Sequence, residues 1–500
     1  FAWFTDTAST GVNKIQAGNL DVVLEMQNAD GKWVSAEGKT LDFVKAAAGE
    51  QVLWEPGCTY KLPELRVVNN GNLALKYKIQ ITGIQGDAKL NEVIDWTIND
   101  AAIDLTEGHL TAGQQGDAFT IKGHMKETAG NDYQNLTIDG IGITVYATQD
   151  TVENDSFGNT YDADAGYTIQ VNKDNIQDYL DGKYGSINGM TLVLAEGDYG
   201  KIEFGRATAY EGSNTKYYLG GTESNVNAIK QDIADHPNGG AGKREYVRSM
   251  SNVTLKAADG ATVTINGLVA FGGQVNSTKW YSRDFVADRD MSATENNNIC
   301  YWIGQRWSNI TFEGLTFTGG VNIEAYGNKD TLIDNVKFDN CKFSITDNPS
   351  ETYCIRLNVD GNIAKANNLV VEKCEFTNGL TAVLTDGMLN VTVTDSTFSG
   401  LVRHAINPMM NYLPKAPGYG KITVTGNTFK NMSTNAAKGT ILRMGDVGAG
   451  AVFTIKNNTA TEGITLANSI KVNSLADGIT YDISGNNWGG LTASDPRLDG

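Results

Sequence analysis

Four histidines, His109, His124, His236 and His404, are scattered singly through 500 residues, and no HExxH run occurs. A helical zinc peptidase site needs two His at i and i+4 with a Glu beside them. His109 and His124 could meet across strands, but no third ligand is evident, so both are expected to be surface or hydrogen-bonded polar residues and no metal is expected. The residues better placed for chemistry are Arg356, Asp386, Arg403, His404 and Arg443, each on the segment that follows an aromatic position of a repeated pattern. If successive turns of the chain bring them into one groove, their charges suit an acidic glycan through charge-assisted hydrogen bonds. The alternative is an ordinary solvated face. Glycoside hydrolysis needs two carboxylates facing each other across a groove, and elimination needs a base near a charge neutraliser. Neither set is legible, so no catalytic residue and no cofactor is expected.

The pattern that must position these side chains recurs seven times in the C-terminal half. It runs apolar, spacer, apolar, two polar or Gly residues, a ladder position, a spacer and an aromatic. It reads ITFEGLTF from Ile310, VKFDNCKF from Val336, LVVEKCEF from Leu369, VTVTDSTF from Val391, ITVTGNTF from Ile422, FTIKNNTA from Phe453 and YDISGNNW from Tyr481. The starts lie 26, 33, 22, 31, 31 and 28 residues apart. A constant strand core with variable spacers is the mark of a solenoid whose insertions are loops. Each copy supplies a strand that cannot bury its apolar face alone and must stack on its neighbours.

Period-two alternation puts the first and third positions on one face. The sixth position reads Leu315, Cys341, Cys374, Ser396, Asn427, Asn458 and Asn486, which suits an inward-facing ladder of amides about 4.8 Å apart. The eighth reads Phe317, Phe343, Phe376, Phe398, Phe429, Ala460 and Trp488, an aromatic stack. Together these columns resemble a right-handed parallel β-helix of the pectate-lyase-like kind, over about residues 165–490. Polysaccharide lyases and hydrolases share that fold, but fold does not imply function. Thr385-Asp386-Gly387 only faintly matches a polygalacturonase motif, and the pectate-lyase Asp cluster and Arg-x-Pro-x-x-Arg are missing. At strand spacing Cys341 and Cys374 fall within disulfide reach; they are either bonded or two buried thiols.

Composition agrees with an all-β protein: 56 Gly, 8 Pro and 20% charged residues. No apolar run is long enough for a transmembrane helix. A net charge of −18 argues against nucleic acid or an anionic membrane as partner.

Residues 1–150 are organised differently, as antiparallel strands starting at Leu20, Leu65, Ala74 and Leu136, separated by turns such as Asn69-Asn70-Gly71. Leu75, Tyr77, Ile79 and Ile81 alternating with Lys76, Lys78 and Gln80 predict a half-buried strand of a jelly roll or β-sandwich. Polar residues 151–164 read as a linker, and residues 165–500 as the β-helix. Asn172–Gly182 predicts a short capping helix. Long insertions at about 205–249 and 274–307 carry Tyr217, Tyr218, Tyr246, Trp280, Tyr281, Tyr301, Trp302 and Trp307, suited to stacking on sugars or to a lid.

The opening Phe1-Ala2-Trp3-Phe4-Thr5-Asp6-Thr7-Ala8, followed by Ile15-Gln16-Ala17-Gly18-Asn19-Leu20-Asp21, resembles the mature N-terminus of the TasA/camelysin family of secreted bacterial matrix-fibre proteins. Trp54-Glu55-Pro56-Gly57, the run Val67 to Tyr77, and Glu127 to Gln134 leading into Ala147-Thr148-Gln149 resemble the same family in the same order. The resemblance implies a jelly-roll domain, export and extracellular placement in a fibre or biofilm matrix. It also implies homopolymerisation, in which the N-terminal strand of one subunit, residues Phe1, Ala2, Trp3, Phe4, Thr5, Asp6 and Thr7, completes the sheet of the next. The large apolar side chains of Phe1, Trp3 and Phe4 would be a liability if exposed, so they must bury in their own domain or in a neighbour. The absence of Met at position 1 fits a processed, exported chain. The expectation is therefore an extracellular fibre subunit displaying a β-helix. The alternatives are a carbohydrate-binding adhesin, or a polysaccharide lyase or hydrolase that uses the β-helix groove.

Overall fold

The structure is a computed structural model of the 500-residue chain. It describes all residues except 1–4, 10–19, 46–49, 51, 104–105, 151–165, 181–186, 205–208, 213–214, 219–244, 247–249, 271–299, 302–305, 326–331, 360–364, 388, 410–419, 433–438, 461–462 and 465. The chain forms two compact units, residues 1–169 with 184–191, and residues 170–183 with 192–500. The expected linker, 151–164, lies outside the described residues. Among those described, no helix is long and apolar enough to cross a membrane.

The first unit is built of antiparallel sheets. One runs in the order Thr5–Ser9, Ile138–Gln149, Leu75–Gly86, Glu107–Leu110; a second runs Thr59–Lys61, Ile121–Met125, Ile94–Ile98, Ala101–Ala102; a third pairs Val22–Gln27 with Trp33–Ser35 and Leu65–Asn69. Leu24, Val67, Leu75, Ile79, Ile121, Ile143 and Val145 are buried together, with Phe43, Trp54 and Trp96 packed as an aromatic group. Gly83 and Gly142 meet where these strands cross closely. A Cβ on Gly142 would lie 2.8 Å from the Gly83 Cα, so no side chain fits there.

The expected half-buried strand differs at one point. Lys76 and Lys78 are half-buried, but Gln80 is only 4% exposed, and Tyr146 and Thr148 on the neighbouring strand are 2% and 0% exposed. This sheet is covered on both faces along part of its length, which alternation within one strand cannot reveal.

The second unit is a parallel β-helix. Its first sheet stacks Met250–Ala257, Arg306–Glu313, Leu332–Asp339, Lys365–Glu372, Asn390–Thr394, Lys421–Thr425, Val452–Lys456 and Thr480–Ser484. All seven copies pair in the expected register, with Ile310 on Val336, Val336 on Leu369, and so on to Phe453 on Tyr481. An eighth copy precedes them, Val253 pairing with Ile310 and Leu255 with Phe312. The helix Ile176–Leu180 forms inside the predicted segment.

Two backbone features explain why each coil turns where it does. The fifth register position is left-handed in every copy: Gly314, Asn340, Lys373, Asp395, Gly426, Asn457 and Gly485 have φ from 49° to 69°. Gly, Asn and Asp tolerate that region, and only Lys373 is an unusual occupant. The residue before the first position is a second left-handed site, at Asn252, Asn309, Asn335 and Asn368. Their amides form an external ladder, each Nδ2 donating to the previous Oδ1 at 2.7–2.9 Å.

The predicted internal columns are present. Phe317, Phe343, Phe376, Phe398 and Phe429 stack with centroids 4.7–4.9 Å apart. Trp488 continues the stack at 6.4 Å, tilted by 47°. Asn427 and Asn458 each donate to the Oδ1 of the next ladder residue, at 3.1 and 2.9 Å. Further up, Cys341 and Cys374 are free, buried thiols that donate to the Phe312 and Phe338 carbonyls. Burial pushes the Cys341 thiol well above its ordinary range.

Candidate functional site

The segment after each aromatic corner belongs to a second parallel set: Thr316–Ala325, Ile355–Val359, Gly379–Asp386, Leu401–Met409, Thr440–Arg443 and Asn468–Lys471. Alternation turns Val321, Ile355, Val383, Ile406, Leu442 and Ile470 inward, and all six are buried. The residue after each points outward. Asn322, Arg356, Leu384 and Asn407 align in register, as do Arg443 and Lys471. Because Ile406 pairs with Leu442, Asn407 falls beside Arg443. The result is one half-buried row along the helix axis, advancing about 4.8 Å per coil. Asp386 and Met409, paired with each other, form the adjacent row.

The five candidate residues do not share one environment. Arg356 and Arg443 stand on the row, and half-buried Asp386 stands on its neighbour. The Arg356 guanidinium lies 5.9 Å from the Tyr353 ring centroid. Arg443 is held in place, Nη2 donating to Asn473 Oδ1 at 2.7 Å and Nη1 to the Met444 carbonyl.

His404 is not in the groove. It lies on the inward side, 4% exposed, in register with Thr381 and Thr440. Its Nδ1 is 2.9 Å from Thr440 Oγ1. Burial first, then the charges of Arg403, Arg443 and Lys471, push its pKa down to about 3. The ring is therefore neutral at physiological pH and supplies no charge.

Arg403 is exposed for a reason of register. Gly379 pairs with Leu401 but Thr381 pairs with His404, so the Leu401–Met409 strand carries one extra residue between them. Such a bulge re-aims the side chains beside it. Arg403 makes no ion pair among the described residues.

Sequence reasoning missed Asn322, Asn407 and Lys471, which occupy the same register position as Arg356 and Arg443. Asn407 Oδ1 and Thr385 Oγ1 are buried and have no hydrogen-bond partner among the described residues.

The remaining candidates fall elsewhere. His109 sits on Glu107–Leu110 and His124 on Ile121–Met125, in different sheets, so they do not meet across strands. His109 Nδ1 is 2.7 Å from Asp150 Oδ2, and His124 Nδ1 is 2.8 Å from Thr59 Oγ1. His236 lies outside the described residues. Among the described residues, no group of three or more His, Cys, Asp or Glu is placed to hold a metal. Trp307, expected in a sugar-stacking insertion, is 0% exposed and opens a core strand. The strand Arg306–Glu313 therefore begins inside the segment expected to be an insertion. Trp280, Tyr281 and Trp302 lie outside the described residues, as do Phe1, Ala2, Trp3 and Phe4. Thr5, Asp6 and Thr7 pair within the chain, with Thr148, Ala147 and Tyr146.

No family model matches the chain, and no curated protein matches it. The resemblance to TasA/camelysin proteins therefore rests on the quoted residues alone. Among solved structures, a variant catalytic domain of a GH87 alpha-1,3-glucanase in complex with tetrasaccharides is 11% identical. The match covers 94% of this chain and 99% of that one, with a TM-score of 0.14. Another variant of such a domain, in complex with nigerose, is 9% identical over 96% of this chain and 100% of that one, also with a TM-score of 0.14. So low a score carries neither fold nor chemistry across to this protein.

Proposed function

We propose that the β-helix is a polysaccharide-binding module whose ligand lies along the outward row from Asn322 to Lys471. The observation that carries this reading is the register itself. It places the donors Asn322, Arg356, Asn407, Arg443 and Lys471 at one position of the coils, interrupted at Leu384, at a spacing suited to a polymer with a repeating backbone. Amide and guanidinium groups are the donors that fix the orientation of a polar ligand. The test is binding of the full chain to a polysaccharide array, compared with Arg356→Gln. Arg356 is a charged donor, and a lost hydrogen bond of this kind is worth about 1.5–3 kcal/mol. Affinity for whatever polysaccharide binds is therefore expected to fall about tenfold or more. Binding that Arg356→Gln leaves unchanged, or no binding by the wild type, sinks the reading.

A second reading, a fibre subunit, draws support from the Thr5–Ser9 strand. It lies at the edge of its sheet and is held by five residue pairs to Ile138–Gln149. An edge strand can be supplied equally by another copy, since the same backbone bonds form. We expect the full chain to form filaments in electron micrographs and the chain lacking residues 1–9 to stay monomeric with both units folded. Filaments from the truncated chain would exclude this route.

A further inference from the structure

We propose that Ser308, Asp334 and Asn367 form a calcium-binding site on the outer face of the first sheet of the β-helix. The three occupy one register position of successive coils: Ser308 pairs with Asp334, and Asp334 with Asn367. Alternation from Ile333, which is buried, turns Asp334 outward. Each of the three stands directly before a left-handed asparagine, Asn309, Asn335 or Asn368, so the same bend presents them all. The external amide ladder bonds those asparagines to one another at 2.9 and 2.7 Å, which fixes the coils against each other at this point. All three side chains are half-buried.

Asp334 carries the inference. Its Oδ1 is buried and has no hydrogen-bond partner among the described residues. A carboxylate oxygen withdrawn from water is costly unless it is paired or coordinates a metal. Lys337, on the same strand, does not supply the pairing, because Glu372 holds it at 2.7 Å and Asp339 at 3.6 Å. The neighbours on either side offer oxygens instead. Asn367 Oδ1 accepts from Asn390 Nδ2, which assigns the amide oxygen and leaves it a second lone pair. Ser308 offers a hydroxyl. Adjacent strands lie about 4.8 Å apart, close to twice a calcium–oxygen distance of about 2.3–2.6 Å, so an ion seated between two coils meets oxygens from both. Calcium accepts irregular sets of oxygens completed by water, whereas magnesium demands a near-ideal octahedron. One carboxylate among neutral oxygens implies weak binding, with a dissociation constant on the order of 0.1–1 mM. The net charge of −18 favours cations at the surface.

The experiment is calorimetric titration of the full chain with calcium chloride, after removal of divalent ions with EDTA, paired with thermal melts. The expected result is calcium bound in that range and a melting temperature that rises by about 2 °C or more in excess calcium. Asp334→Asn keeps the shape of the side chain and removes its charge. It should abolish both the binding and the rise, while melting in EDTA no lower than the wild type, because the unpartnered charge is gone. Asp482→Asn removes a carboxylate bonded to Lys456 elsewhere on the sheet and should keep the full rise. Magnesium at the same concentration should give a smaller one. No calcium bound by the wild type overturns the site and leaves Asp334 to solvent. Calcium binding that Asp334→Asn retains also overturns it, and magnesium acting as strongly as calcium overturns the assignment to calcium.

Discussion

Replacing Phe398 by Ala is expected to destabilise the β-helix by about 3–5 kcal/mol, the range for deleting a buried aromatic ring. The ring is 0% exposed and lies between Phe376 at 4.8 Å and Phe429 at 4.9 Å, with interplanar angles of 6° and 15°. The backbone on both sides is fixed by parallel pairing, Phe376 on Phe398 and Phe398 on Phe429. The cavity therefore cannot collapse without breaking ladder bonds, and its full cost remains. Urea unfolding of the full chain, followed in the near-UV, measures the loss. Tyr481→Ala is the control, because Tyr481 is 45% exposed on the last strand and its removal should shift stability by about 0.5 kcal/mol or less. Equal effects at the two positions would contradict the stacked-core account.

The second large effect is expected at Asn458. Its Oδ1 accepts from the Asn427 backbone N–H and side-chain Nδ2, both at 3.1 Å. Its Nδ2 donates to the Val424 carbonyl at 2.8 Å and to Asn486 Oδ1 at 2.9 Å. The residue is 0% exposed, so Asn458→Ala strands several buried groups where water does not reach. Each stranded group costs about 1–3 kcal/mol. The external ladder provides the contrast. Asn309 is exposed with φ 56°, and Asn309→Gly keeps the left-handed turn while the freed amide partners meet solvent. Thermal melts should separate the two clearly, and an Asn458→Ala melt that overlays the wild type would remove the ladder as a source of stability.

These two residues were legible as columns before any fold was known, for a physical reason. In a solenoid the residue stacked on Phe398 is the same register position one coil away. Tertiary neighbours are therefore written as a repeat along the chain. The strand core, the aromatic stack, the amide ladder and the left-handed fifth position all follow from that one fact. The external Asn column was equally present, as an Asn before Val253, Ile310, Val336 and Leu369, and needed only one more position of alignment.

The outward row was not legible, because the repeat loses its register past the aromatic. Asn322, Arg356, Leu384, Asn407 and Arg443 follow their own Phe by 5, 13, 8, 9 and 14 residues. Only the pairing of strands restores the alignment. The same holds for Arg403 and His404, which read as two cations of one groove. Adjacent residues of a strand point to opposite faces, and one extra residue between Leu401 and His404 sets which face each takes. Tertiary structure thus made one an exposed cation and the other a buried, neutral ring. In the first unit the sequence by itself specified antiparallel strands and their turns. That Gln80 and Thr148 are covered, and that Thr5–Ser9 occupies a sheet edge, was decided by contacts between segments distant in the chain, which no local periodicity encodes.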